Sequence, residues 1–198
     1  MLKSRGFLAA VFAALFLAFA AMTWFNNSPI AATLFAPATI NHGFVLTDQN
    51  GQKVTEKNLL GKPSALFFGY THCPSICPTT LFELTNWMKA LGADADRLNT
   101  VFISVDSARD TPKQVKLYLS SFDPHIRGFT GTEQQIQDIT SEYSVYFKRI
   151  DLDHGDYGYD HSALIRLTHK DGRLAGIISP DDSDATALKK LRDLIKNG

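Results

Sequence analysis

The chain has 198 residues, of which 44% are hydrophobic and 20% are charged, enough for one globular domain with a sizeable core plus an extra segment. Its 20 basic and 20 acidic residues give a formal net charge of zero. Nothing in this balance points to a nucleic-acid partner, which would favour an excess of basic residues.

The extra segment is at the N-terminus. Lys3 and Arg5 precede an uncharged, strongly apolar run over residues 6–25, long enough to cross the ~30 Å hydrocarbon core of a bilayer as a helix. We expect residues 1–25 to be a membrane anchor that leaves its basic residues in the cytoplasm while the rest of the chain is exported. A signal peptide cleaved after the Ala-Phe-Ala at 18–20 and a buried core helix are the alternatives.

Two further segments follow. Residues 26–39, rich in Asn, Ser, Pro and Ala, are predicted to be a linker, and residues 40–198 the exported domain. The short N-terminus has no room for a long transit peptide before the anchor. We therefore expect a bacterial inner (cytoplasmic) membrane protein whose domain faces the periplasm.

The first elements of the domain are predicted from turn residues and apolar runs. An Asn-Gly pair within residues 44–55 predicts a hairpin. The continuous apolar run 65–70 predicts a strand buried on both faces, followed by a helix over 79–91 and a second buried strand over 101–105. This order implies two parallel strands joined by a right-handed crossover.

The second half contains capping signals. Thr-Pro at 111–112 begins one predicted helix, and a capping box of Thr132 and Gln135 begins another. An Asp-Gly pair within residues 162–178 predicts an antiparallel hairpin, and apolar spacing over 188–195 a last helix. The element order predicts an α/β fold: a thioredoxin-like sandwich with a central mixed sheet.

Two thiols lie between the first buried strand and its helix, in FFGYTHCPSICPTT. Pro78 disfavours helical geometry at Cys77, so we predict that the helix begins at Pro78 and that Cys73 and Cys77 lie on the turn before it. A helix N-terminus favours thiolate, which suits a redox-active disulfide or a soft metal ion. A purely stabilising disulfide is the alternative, although so small a loop would remove little chain entropy.

A third ligand would decide the metal. Of the six histidines, His161 is predicted to start the first strand of the C-terminal hairpin, beside the helix N-terminus. Cys73, Cys77 and His161 together suit copper, because thiolates hold Cu(I) and an imidazole helps to accommodate Cu(II). We interpret His72 as structural and the acidic stretch 151–160 as a solvated loop, since it lacks the ligand spacing of an EF-hand.

Three motifs in order, YTHCPSICPTTL, ISVDSARDTP and YDHSA, resemble the Sco family, also called SenC-type proteins, over residues 42–198. The resemblance implies a thioredoxin-like, membrane-anchored copper protein that helps to assemble the binuclear copper site of cytochrome c oxidase subunit II. It implies the copper-binding role for Cys73, Cys77 and His161. Other periplasmic copper carriers or thiol reductants would be further partners.

The chain departs from the family pattern at two positions. Ser75 stands where the family usually has Asp, and Ser107 where it usually has Pro. Loss of a carboxylate beside the thiols would alter their pKa and the redox behaviour of copper. Asp106, Arg109 and Asp110 are kept, either as a salt-linked loop near the site or as a helix-capping turn.

Two other functions compete with a copper metallochaperone. A thiol-disulfide oxidoreductase would reduce the cysteines of the copper-accepting protein with Cys73 and Cys77 alone, and would not need His161. A thiol peroxidase would need a Thr-x-x-Cys site, whereas Thr71 is only two residues before Cys73.

Overall fold

A computed structural model describes residues 15–17, 19–20, 22–24 and 43–197. The chain divides into two compact units, Met1–Ala38 and Thr39–Gly198. In the first unit the described residues are helical and exposed, and no helix among the described residues is long and apolar enough to span a bilayer. Most of the predicted anchor and all of the predicted linker lie outside the described residues.

Two sheets form the β-structure of residues 43–197. The strands are β1 (Val45–Asp48), β2 (Lys53–Thr55), β3 (Ser64–Gly69), β4 (Asn99–Ser104), β5 (Ile126–Thr130), β6 (Phe147–Asp151), β7 (Tyr157–His161), β8 (Ile165–Thr168) and β9 (Leu174–Ile178). Seven of them form a sheet in the order β2-β1-β5-β4-β3-β8-β9, and β6 pairs with β7 in a separate two-stranded sheet. The large sheet is mixed, because β3, β4 and β5 are parallel while β1 and β8 run antiparallel to their neighbours.

The α-helices of this region are α1 (Ile76–Leu91), α2 (Pro112–Leu119), α3 (Glu133–Glu142) and α4 (Asp184–Asn197). The predicted caps are confirmed: the Thr111 side chain accepts a hydrogen bond from the Gln114 N–H, and Thr132 and Gln135 form a capping box. These caps satisfy backbone donors that have no partner within the helix.

The core lies in the centre of the large sheet. Every residue of β3 is buried, and four phenylalanines are fully buried: Phe67, Phe68, Phe102 and Phe129. Such strands read as continuous apolar runs because both faces are covered. The end of β3 leads directly into the cysteine loop, so the best-packed strand of the fold supports the thiols.

Three strands differ from the sequence-based expectation. β5 and β6 were not predicted, and β7 lies mostly within the stretch 151–160 that was interpreted as a solvated loop. The predicted C-terminal hairpin is formed by β8 and β9. The prediction that His161 starts that hairpin is wrong, because His161 is the last residue of β7.

Candidate metal centre

Cys73 lies just before the N-terminus of α1. The helix begins at Ile76, so the prediction that Cys77 precedes it is wrong. Pro78 is tolerated in the first turn because the first N–H groups of a helix have no intrahelical partner. Ser75 is the N-cap but its side chain makes no capping hydrogen bond, whereas the Cys77 N–H donates to Cys73 Sγ at 3.4 Å. The sulfur of Cys73 therefore accepts from a free donor of the helix.

The Cys77 thiol is fully enclosed by the protein. Cys77 is 0% exposed and Cys73 is 8% exposed, and both are free thiols. Cys77 Sγ fits against the backbone of Gly69 at the end of β3, where a β-carbon would lie only 2.7 Å from the sulfur. Gly69 therefore makes the space that the Cys77 sulfur occupies.

The imidazole reaches the thiols from β7. His161 Nε2 is 3.4 Å from Cys77 Sγ, and Nδ1 is 3.2 Å from the Ser162 carbonyl oxygen. Because a carbonyl can only accept, Nδ1 carries a proton, and in the neutral ring Nε2 keeps a lone pair facing the sulfurs. The Tyr70 ring packs edge-on against the imidazole, with centroids 5.8 Å apart.

The structure thus brings together the three residues predicted as ligands. The ligand atoms of Cys73, Cys77 and His161 all lie within 4.8 Å of one another. Two sulfurs and one imidazole nitrogen form a soft donor set of the kind that suits copper in either oxidation state. The donor chemistry of these side chains therefore fits a copper ion.

Hydrogen bonding gives the two thiols different proton affinities. The bond with Cys77 lowers the pKa of Cys73 well below its ordinary value although burial opposes the shift, and the backbone N–H groups of Cys77 and Ser75 lower it further. The same bond between the thiols raises the pKa of Cys77, and burial raises it more. Near neutral pH the pair therefore holds one proton, with Cys73 as the thiolate.

A loop over residues 105–111, here called the bracing loop, joins β4 to α2 beside the site. Asp110 in this loop is buried, and its carboxylate accepts from the Thr71 N–H at 2.8 Å, from Thr71 Oγ1 at 2.6 Å and from Ser104 Oγ at 2.6 Å. Asp106 is also buried and forms an ion pair with Arg109. Of the two interpretations of Asp106, Arg109 and Asp110, the salt-linked loop agrees with the structure, whereas the cap of α2 is Thr111.

A second group with metal-ligand atoms within 4.8 Å of one another consists of His72, Asp106 and Asp110. Both carboxylates already accept hydrogen bonds, and the guanidinium of Arg109 pairs with one of them. His72 itself is exposed and contacts Thr71 Oγ1 at 3.1 Å. The partners present account for this group without an ion.

Comparison with known proteins identifies the family. Residues 33–196 match the family model described as SCO1/SenC. The chain belongs to the SCO1/SenC family. Within that family it is 42% identical over 156 residues to the mitochondrial protein SCO2 of Saccharomyces cerevisiae, across 77% of this chain and 52% of the yeast protein. It is 38% identical to a SCO2-like protein of Rickettsia prowazekii, across 78% of this chain and 74% of that protein. The chain thus matches about half the length of the yeast relative.

A solved SCO1/SenC structure has the same fold. The structure of Bradyrhizobium japonicum ScoI with copper bound superposes on this chain with a TM-score of 0.73 at 48% identity. The match covers 77% of this chain and 98% of the ScoI chain. The predicted thioredoxin-like fold with a central mixed sheet is confirmed by this likeness together with the strand order.

Sequence reasoning missed three residues that shape the site: Gly69, Tyr70 and Tyr157, of which the last donates its hydroxyl to Asp106 in the bracing loop. Gly69 and Tyr70 were assigned only to a buried strand, and Tyr157 only to a polar loop. Their roles depend on contacts with residues distant in the chain, and no local pattern indicates such contacts.

Proposed function

We propose that this chain is a copper metallochaperone that binds one copper ion through Cys73, Cys77 and His161. We further propose that it assists assembly of the binuclear copper site of cytochrome c oxidase subunit II. The observation that carries the proposal is the convergence of two thiols and one imidazole nitrogen within 4.8 Å. The copper-bound relative from Bradyrhizobium japonicum supports it.

The protein's own groups have distinct parts in this function. Cys73 supplies a thiolate without an external base, because its pKa is lowered by the bond with Cys77. Cys77 gives up its proton when a metal replaces that bond, so copper binding releases about one proton near neutral pH. His161 presents Nε2 because its Nδ1 is held by the Ser162 carbonyl. Copper, when bound, would supply the charge that stabilises both thiolates.

A second function has its own supporting observation. A thiolate on Cys73 next to a protonated, buried Cys77 is the arrangement in which one thiol attacks a disulfide and its neighbour resolves the product. The chain would then reduce the cysteines of the copper-accepting protein. This reaction needs no imidazole ligand.

The proposed location is a bacterial inner membrane, with residues 1–25 as the anchor and residues 40–198 facing the periplasm. The apolar run after Lys3 and Arg5 supports this placement. Oxidase subunit II, periplasmic copper carriers and thiol reductants are the proposed partners.

Substitution of His161 separates the two functions. In the full-length chain purified in detergent, His161→Ala is expected to abolish or strongly alter the Cu(II)-thiolate absorption while weakening Cu(I) binding less, because two thiolates can hold Cu(I) alone. Reversible disulfide formation between Cys73 and Cys77, followed by mass spectrometry, is expected to stay intact.

His169→Ala is the matched control, because His169 follows the end of β8 that pairs with the start of β3, away from the cysteine loop. It is expected to bind both copper states like the unmodified chain. Unaltered copper binding by His161→Ala, with full support of oxidase assembly in cells, would replace the chaperone proposal with the reductase one.

A further inference from the structure

The strand that carries His161 belongs to a different sheet from the strand that leads to the thiols. β7 pairs with β6 through five residue pairs in a two-stranded sheet, whereas β3 lies within the seven-stranded sheet. An isolated two-stranded hairpin has marginal stability in water. The distance between His161 and the thiols therefore depends on side-chain contacts that hold this hairpin in place.

One set of contacts joins the hairpin to the bracing loop. Tyr157 donates its hydroxyl to Asp106 Oδ1 at 3.0 Å, and Arg109 donates Nε to Asp106 Oδ2. The Arg109 guanidinium also stacks on the Tyr157 ring, 3.7 Å from its centroid. We call these three residues, Asp106, Arg109 and Tyr157, the clasp.

The hairpin side of the clasp has additional contacts. Arg149, on β6, lies over the Tyr157 ring at 3.8 Å, and Arg109 Nη1 donates to Asp156 Oδ1 at 3.0 Å. Tyr157 is therefore in contact with two guanidinium groups, one from the bracing loop and one from its own hairpin. Cation–π contacts of this kind add to the hydrogen bond in fixing the ring.

Burial of the Asp106 carboxylate makes its hydrogen bonds within the clasp necessary. Asp106 is 0% exposed, and a buried carboxylate is costly unless hydrogen bonds compensate it. Arg109 and Tyr157 provide these bonds through side chains. Any movement of the hairpin that withdraws the Tyr157 hydroxyl leaves one oxygen of a buried charge without that donor.

The bracing loop also holds the other half of the site. Asp110 accepts two hydrogen bonds from Thr71, which is two residues before Cys73. Asp110 and Asp106 are joined through the backbone, because the Asp110 N–H donates to the Asp106 carbonyl at 3.0 Å. One loop thus fixes both the cysteine segment and the hairpin of His161.

We propose that the clasp sets the position of His161 relative to the two thiols, with Asp106, Arg109 and Tyr157 as positioning residues for copper binding. This inference rests on the proposed copper function for its copper-dependent part. None of these three residues is proposed as a ligand of the ion. They act by holding the strand that ends in His161.

Tyr157→Phe tests the clasp with little disturbance, because it keeps the ring and its stacking and removes only the hydroxyl. In the metal-free, full-length chain, hydrogen exchange of the amides over residues 157–161 is expected to rise. Cu(II) affinity is expected to fall roughly tenfold, as when a group that orients a metal ligand is lost, with an altered Cu(II) spectrum. Tyr146→Phe, the same change at a tyrosine that is 56% exposed, is the control and is expected to alter neither quantity.

A double substitution shows whether the effect passes through His161. If the clasp acts by placing His161, Tyr157→Phe should lower Cu(I) affinity in the unmodified background and should cause no further loss when it is added to His161→Ala. A further loss of the same size as in the unmodified background would indicate general destabilisation and overturn the proposal.

The metal-free measurement separates this inference from the proposed function. Failure of the unmodified chain to bind copper would refute the proposed function, while exchange over 157–161 would still report on the clasp. Exchange and Cu(II) spectrum both unchanged in Tyr157→Phe would refute the clasp alone.

Discussion

At the scale of single residues, the site combines one ionised and one protonated thiol. The Cys73 sulfur accepts from the Cys77 N–H in the first turn of α1 and shares the proton of the Cys77 thiol. Because the pKa of Cys73 is lowered, this side chain stays a thiolate below the pH at which an ordinary thiol takes up its proton.

Cys73 should therefore react with iodoacetamide at a rate that barely changes between about pH 6 and pH 8, whereas the rate for an ordinary thiol falls about tenfold per pH unit below its pKa. Cys77→Ala removes the main cause of the shift, so the rate should regain a steep pH dependence. Mass spectrometry of the alkylated protein gives the rate at Cys73 in the unmodified chain and in Cys77→Ala. The chain unfolded in urea is the reference for an ordinary thiol. Equally steep profiles for folded and unfolded protein would contradict a lowered pKa.

Gly69 leads to a second prediction at this scale. A β-carbon at Gly69 would lie 2.7 Å from Cys77 Sγ and 3.0 Å from the Phe102 ring, both too close for ordinary contact. Gly69→Ala is expected to lower the free energy of unfolding by about 1–3 kcal/mol, as overpacking does, and to displace the sulfur enough to change the Cu(II)-thiolate absorption.

Urea unfolding and absorption spectroscopy measure the two effects of Gly69→Ala. Gly43→Ala is a matched control, because the nearest neighbour of its β-carbon would be the flexible end of Glu56, at 3.1 Å. A Gly69→Ala chain with the stability and spectrum of the unmodified protein would show that the sulfur does not need this space.

At the scale of elements, α1 and α4 are joined by a specific hydrogen bond. Trp87 on α1 donates its indole N–H to Asp184 Oδ1 at 2.8 Å, and Asp184 is in the first turn of α4. The carboxylate thus satisfies a buried tryptophan and lies at the positive end of a helix dipole.

Asp184→Ala is expected to cost about 1–3 kcal/mol of unfolding free energy, because it leaves a partly buried indole N–H without its acceptor. Asp193→Ala on the same helix removes an exposed ion pair with Lys189 and should cost less than about 0.5 kcal/mol. Denaturant unfolding of both variants checks the difference. Equal losses would mean that the bond to Trp87 contributes nothing specific.

The sequence predicts those elements whose cause is local. The apolar run that forms β3 and the caps at Thr111 and Thr132 depend on neighbouring residues, and the structure confirms them. β5 carries Arg127 and Gly128 in its five residues, so it lacks the apolar run that identified the other parallel strands. Its place comes from pairing with β1 and β4.

The hairpin of β6 and β7 could not be predicted for a related reason. Four of the five residues of β6 are exposed, and its sequence FKRID contains three charged residues, which is typical of a loop. Pairing of β6 with β7, together with the contact of Arg109 with Tyr157 on β7, decides the structure of this hairpin. The three residues that converge at the site could be predicted as ligands from residue types and resemblance, whereas the strand that carries His161 could not be predicted.

At the scale of the whole molecule, the N-terminal segment should govern location. The apolar run through Phe25 predicts that the full-length protein stays in the membrane fraction after a carbonate wash. A chain that begins at residue 26, exported with a cleavable signal, should appear in the soluble periplasmic fraction. Recovery of a shortened, soluble form from the full-length gene would indicate cleavage instead.

The unequal burial of the two sulfurs has a consequence for the direction of metal transfer. Cys77 has no exposed surface, whereas Cys73 is 8% exposed and His161 is partly buried. In the proposed copper delivery, an incoming ligand from an acceptor protein would approach the ion from the more exposed side, that of Cys73 and His161. The bonds of the ion to Cys73 and His161 would be exchanged first, and the bond to Cys77 would break last. Under the proposed function, delivery would then be an ordered exchange of ligands that ends with Cys77.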